Sequence, residues 1–319
     1  MIVWIVHYIT YGNPVFFYRN KTKKMSSIFF RKNFFLLFLS ICFLWQLSSA
    51  IDDDGRMIQV AIKSGQIIGE RIHDEQNGRK FDQFLGIPYA QPPIGQLRFH
   101  RPRPIEKLPK QPYEAMEWPS VCLQENQFEN ISNYRHFNMN EDCLYLNVWS
   151  PKVDVNDERE LRPVLVYIHG GGLIVGSSVL KYLEGSKLST MADAVIVTIN
   201  YRLSIFGLLY SDEVEHIKGN MAFWDQALAL EWVQQNIRYF GGNPEQVTIA
   251  GCSAGSWSIS AHIISPVSRN LFQNAIMLSG SIQNQILSRE DFRDSWLRRI
   301  RSTGCATDSD HTIGQIIID

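Results

Sequence analysis

Residues 247–258, VTIAGCSAGSWS, leave this chain few ways to fold. Val247-Thr248-Ile249-Ala250 is a short apolar run rich in β-branched residues, the composition of a buried strand. Residues 256–264 contain neither Gly nor Pro and read as a helix. Between them stands Ser253, with Gly251 and Gly255 two positions away on either side. Strand, tight turn and helix in this order lift a serine hydroxyl above a sheet edge. They also aim the next N–H, that of Ala254, at charge developing on a substrate oxygen. The glycines answer to the same geometry, because a strained elbow has no room for side chains beside it. Gly-x-Ser-x-Gly alone is a weak signal, and an ordinary Gly/Ser turn between strand and helix is the competing reading.

A second constellation lies upstream in RPVLVYIHGGGLIVGSS, residues 162–178. Residues 164–168 are all apolar, as expected of a strand that a parallel sheet buries on both faces. They run directly into His169-Gly170-Gly171-Gly172, a loop whose N–H groups can converge on one anion. A phosphate-cradling loop is the rival, but no Gly-Lys-Ser/Thr follows. His169 is read as holding the loop by hydrogen bonding. Residues 194–199 and 275–278 are further buried runs. Residues 225–237 place Ala227, Leu230, Val233 and Ile237 at helical spacing, with Leu228 and Trp232 forming a second apolar row. Strands alternating with helices imply a parallel α/β sheet with crossovers.

Charge narrows the partners. A formal net charge of -1, with no basic tract, argues against nucleic acid. Residues 25–50 have a basic start (Arg31, Lys32), an apolar stretch too short to span a bilayer and a small-residue exit, Ser48-Ser49-Ala50. That is the form of a secretory signal peptide. Residues 1–24 fit no such pattern and read as an over-extended N-terminus, with an uncleaved signal anchor as the alternative. Beyond the signal no membrane association is indicated. Secretion places Cys122, Cys143, Cys252 and Cys305 in an oxidising compartment, where Cys252, beside the elbow, reads as a small buried hydrophobe. Asn130-Ile131-Ser132 is a glycosylation sequon.

The chain resembles the type B carboxylesterase and cholinesterase family of α/β hydrolases. The resemblance runs through FLGIPYAQPPIGQLRF (84–99), EDCLYLNVW (141–149), IHGGG, NYRLSIFGLL (200–209), GNMAFWDQALALEWVQQNIRYFGGNP (219–244), GCSAG and SPVSRNLFQNAIMLSGS (265–281). It implies the α/β-hydrolase fold, a mostly parallel central sheet with flanking helices, over residues 51–319 but lacking its C-terminal part. It implies Ser253 as the acyl-forming nucleophile, with Gly171, Gly172 and Ala254 as oxyanion-hole donors. It pairs Cys122 with Cys143 in a disulfide. It sets Arg98 against Glu141 and Arg202 against Asp225 in structural ion pairs, both expected to be buried. The implied substrate is a small-molecule carboxylic ester, with no metal and no cofactor.

The family draws its acid and histidine, in that order, from strands beyond the nucleophile. Only 66 residues follow Ser253 here (319 minus 253), with His262 and His311 among them. His262 lies about 13 Å along the same helix, at about 1.5 Å per residue, out of reach of the hydroxyl. His311 sits in a polar stretch with no strand to position it. The proton acceptor is therefore expected to be missing, and the sheet to carry an exposed apolar edge. Three departures touch the site. Cys252 stands where the family has Glu. The loop from Cys122 to Cys143 lacks the choline-binding Trp, leaving Tyr134 or Phe137. Ile286 replaces an acyl-pocket Trp. The missing Trp favours the general carboxylesterase branch, Cys252 puts a buried polar network under the elbow in question, and Ile286 implies a different acyl pocket. A non-catalytic adhesion ectodomain of the same family is the alternative, although such members commonly lack the serine.

Overall fold

The computed structural model describes residues 4–5, 15–19, 56–74, 78–124, 138–151, 161–212, 214–285, 289–302 and 304. The signal-like segment 25–50 and Asn130, Tyr134, Phe137, Ile286, Cys305 and His311 lie outside the described residues. The strands are β1 (Trp4–Ile5), β2 (Val15–Arg19), β3 (Met57–Ile62), β4 (Gly65–Asp74), β5 (Arg79–Pro88), β6 (Tyr113–Glu114), β7 (Val121–Cys122), β8 (Met139–Asn140), β9 (Tyr145–Pro151), β10 (Arg162–Ile168), β11 (Val195–Ile199), β12 (Gly242–Cys252) and β13 (Asn274–Leu278). The helices are α1 (Ser186–Ala192), α2 (Ser204–Leu208), α3 (Met221–Asn236), α4 (Ala254–Ile264) and α5 (Arg289–Ser302).

One large sheet runs β1-β2-β13-β12-β10-β11-β9-β5-β4-β3, with β6 beside β4. Its centre, β13-β12-β10-β11, is parallel. These are the β-branched runs whose residues point into the core on both faces, as in β11, buried throughout. Parallel neighbours need crossovers, and α3 and α4 supply them. Helix α3 is buried on more than one side: Ala227, Leu230, Trp232 and Val233 are inside, as are Asp225 and Gln226. The flank from β9 to β3 is antiparallel. On the other flank β2 pairs antiparallel with β13, Phe17 opposite Ile276. The edge expected to be bare is thus occupied, by an aromatic and β-branched run (VFFYR) from the segment preceding Met25.

Cys122 and Cys143 are joined by a disulfide and both are buried. Closing 21 residues stabilises by about 3 kcal/mol in the chain-entropy view. Arg202 and Asp225 meet deep in the fold, their side chains 4% and 0% exposed, with Nη2 to Oδ1 at 2.7 Å. Arg98 and Glu141 meet at 2.6 Å, but 44% of the Arg98 side chain is exposed. The expectation that both pairs are buried therefore fails for Arg98, which follows a one-turn surface helix at Gly95–Leu97 and is not sealed beneath a strand. Solvent screening leaves that pair worth at most about 1 kcal/mol.

Candidate active site

Strands β10 and β12 run parallel with Ile168 beside Gly251, so the loops leaving their carboxyl ends emerge side by side. This is the end of an α/β sheet at which ligands collect. Ser253 caps α4 with φ 54 and ψ -122, a conformation that L-residues rarely adopt. It is held there because its N–H bonds Leu278 O at 2.9 Å and its carbonyl accepts from Trp257 N at 2.9 Å. Gly255 is required by a close approach, since a Cβ on it would sit 2.1 Å from Ile168 O. Backbone strain of this kind costs about 1–3 kcal/mol. Ser253→Gly is accordingly expected to melt higher than Ser253→Ala by about 1 kcal/mol, and equal stabilities in urea would show that the elbow is relaxed.

The glycine loop lies directly over this elbow. A Cβ on Gly170 would fall 2.5 Å from Cys252 O and 3.4 Å from the Ser253 Cβ. Gly171 has φ 116, and a Cβ there would meet Val175 O at 2.0 Å, so no other residue closes this turn. Among the described residues no acceptor takes the N–H of Gly171, Gly172 or Ala254. Three unengaged donors beside a raised serine hydroxyl can hold an oxyanion.

Two residues that support the loop were given no role from the sequence. Tyr201 stacks on His169, ring centroids 4.2 Å apart, and its hydroxyl donates to His169 O at 2.6 Å. Gln124 grips Gly176 on both sides, its amide donating to Gly176 O at 2.9 Å and accepting from Gly176 N at 2.8 Å. The sequence signals were slight: Tyr201 stands two positions after β11, within the NYRLSIFGLL block, and Gln124 two positions after Cys122.

The described histidines near the elbow are both engaged. His169 Nδ1–H donates to Gly170 O at 2.9 Å, and its Nε2 is buried with no partner. Burial pulls its pKa down to about 4, against the opposing pull of the Gly170 carbonyl. His262 donates from Nε2 to Gln226 Oε1 at 2.9 Å and accepts at Nδ1 from Ser268 Oγ at 2.7 Å. Burial lowers its pKa to about 4 as well. Both are neutral core imidazoles, and neither hydrogen-bonds Ser253. Among the described residues no acid–histidine pair reaches the hydroxyl, and no group of His, Cys, Asp or Glu is arranged to hold a metal ion. Cys252 is an unpaired, part-exposed thiol on the strand side of Ser253 and not the fully buried hydrophobe expected, because the last residue of β12 already leaves the sheet.

The chain matches the sequence model of the carboxylesterase family over residues 56–317. It is 46% identical over 204 residues to acetylcholinesterase-1 of Trittame loki, covering 64% of this chain and 36% of that protein. It is 44% identical over 223 residues to pyrethroid hydrolase Ces2e of Rattus norvegicus, covering 68% and 38%. With carboxylesterase 1D of Rattus norvegicus the identity is 38% over 287 residues, covering 85% and 47%. A solved thermophilic PNB esterase superposes with a TM-score of 0.68 at 34% identity, covering 77% of this chain and 48% of that one. The chain spans between about a third and about a half of the length of these relatives.

Proposed function

This chain belongs to the carboxylesterase family, and from that premise we propose that it is a carboxylic ester hydrolase working through an acyl-enzyme on Ser253. The observation that carries the proposal is the strained Ser253 elbow lying against the glycine loop at the carboxyl ends of β10 and β12, with the N–H groups of Gly171, Gly172 and Ala254 unengaged. Ser253 Oγ attacks the ester carbonyl, and the negative charge moving onto the carbonyl oxygen is met by donors already in place. Collapse expels the alcohol and leaves an acyl-serine for water to cleave. The general base lies outside the described residues in this proposal, because His169 and His262 are both sealed in the core.

Secretion is part of the same proposal. It is supported by the signal-like pattern at residues 25–50 and by the Cys122–Cys143 disulfide, which persists in oxidising compartments. Among the described residues no helix is long and apolar enough to cross a membrane. The absence of Trp between Cys122 and Cys143 supports a general ester substrate over choline esters.

A fluorophosphonate probe tests the assignment. Labelling of the 319-residue chain is expected to be slow, confined to Ser253 and abolished in Ser253→Ala, since oxyanion stabilisation without a base still leaves a rate about 10³ to 10⁴ over water. Label retained in Ser253→Ala would overturn the nucleophile. Rapid stoichiometric labelling would place a base within the chain, and His311 would be the residue to replace first.

A further inference from the structure

Away from the elbow, residues 98–110 carry Arg98, Arg101, Arg103, Lys107 and Lys110 against Glu106 alone, in a chain whose formal net charge is -1. Part of this strip lines an open groove of about 540 Å³, whose lining includes Arg98, His100, Arg103 and His216 together with the short helix Gly95–Leu97. That volume falls within the range of small-molecule sites, about 300 to 1,000 Å³.

The cations there are not matched by acids. Arg98 is engaged by Glu141, and Arg101 is held over the Trp224 ring, 3.9 Å from its centroid. Among the described residues the side chains of His100, Arg103 and His216 have no carboxylate partner. His100 and His216 stack face to face at 4.3 Å and 11°, joining the Arg98–Arg103 segment to the turn before α3. Burial lowers the His100 pKa, and the neighbouring His216, Arg103 and Arg202 lower it further. The groove thus holds a positive field with two titratable donors inside it.

We propose that this groove binds a small oligoanion bearing phosphate or sulfate groups. Arg98 is offset by Glu141, so the groove presents the full charge of Arg103 together with the ring donors of His100 and His216. Phosphate and sulfate groups offer several acceptor oxygens on one centre, which a guanidinium fork and neighbouring imidazole donors can bond together. Burial disfavours the charged form of the His100 imidazole, and an arriving anion favours it, because an adjacent negative charge stabilises the cation. Binding therefore takes up protons and tightens as pH falls. The site does not depend on the esterase reading, since neither Ser253 nor the glycine loop lines it.

Titration calorimetry on the whole chain, with tripolyphosphate and separately with sucrose octasulfate at low ionic strength, tests this. One-to-one binding near pH 6 is expected, about tenfold weaker by pH 8 and about tenfold weaker in either Arg103→Gln or His216→Gln. Both positions are exposed, so circular dichroism of the variants should match the parent. Tighter binding of tripolyphosphate would identify free phosphate compounds as the source, and tighter binding of the octasulfate a sulfated saccharide. No heat with either anion at millimolar concentration, or affinities unchanged in both variants, would overturn the proposal.

Discussion

Asp225→Ala is expected to cost about 3–5 kcal/mol, a large share of the stability of a domain this size. The carboxylate is fully buried and accepts three bonds from one residue: Arg202 N at 3.0 Å, Nε at 2.8 Å and Nη2 at 2.7 Å. Burial works against the guanidinium charge, and the attraction of Asp225 overcomes it, leaving the Arg202 pKa raised. Removing the carboxylate strands a cation that is 4% exposed, one of whose nitrogens, Nη1, already lacks a partner. The check is a urea midpoint at unchanged slope. Removing both charges in Asp225→Ala/Arg202→Met should recover much of the loss, because the cost lies in isolation of the charge and less in the pair itself. A loss below about 1 kcal/mol in the single variant would mean that water reaches Arg202.

The second large effect is acid sensitivity. Buried His169 and His262 titrate at about 4, against 6.5 for an unperturbed imidazole. Between those values the unfolded chain holds more protons than the folded one, so stability rises with pH across the window. The contribution is complete above 6.5 and drains away as pH falls toward 4, about 3 kcal/mol per histidine. Urea unfolding at intervals from neutral pH down to about 4 should show a slope approaching two protons. His262→Gln, which keeps a donor and an acceptor for Gln226 and Ser268, should lose about half of that slope. A slope of zero in the parent would show that these imidazoles are not buried neutral in solution.

What could be read from the sequence was local. The elbow, the glycine loop and the parallel strands announce themselves because each depends on residues adjacent in the chain: β-branched runs, then Gly, then a helix free of breakers. Contacts made by reach across the fold were legible only where the family resemblance supplied them, as for Cys122–Cys143, Arg98–Glu141 and Arg202–Asp225. Tyr201 is joined to His169 over 32 positions and Gln124 to Gly176 over 52, and neither separation leaves a periodic mark. The antiparallel flank from β9 to β3 matched family blocks without declaring its direction, since β5 and β9 are buried nearly throughout and show no alternation of apolar and polar residues. The Arg98–Glu141 pair could be placed in the chain but not in depth, because its exposure is set by the surface turn at Gly95–Leu97.

The grip of Gln124 on Gly176 makes the glycine loop a braced part rather than a free one. The brace is anchored two residues from Cys122, and Gln124 also donates to Cys122 O at 3.0 Å. The far end of the disulfide, Cys143, stands just ahead of β9, in the body of the sheet. Force on the loop is thereby carried through a side-chain amide into a covalent crosslink and on to the sheet. Cutting the crosslink would slacken this linkage while the hydrogen-bonded strands stayed whole, so a reductant would loosen the glycine loop before it unfolded the chain. In mechanical terms the disulfide serves as a tie rod for the glycine loop as well as a staple for the fold.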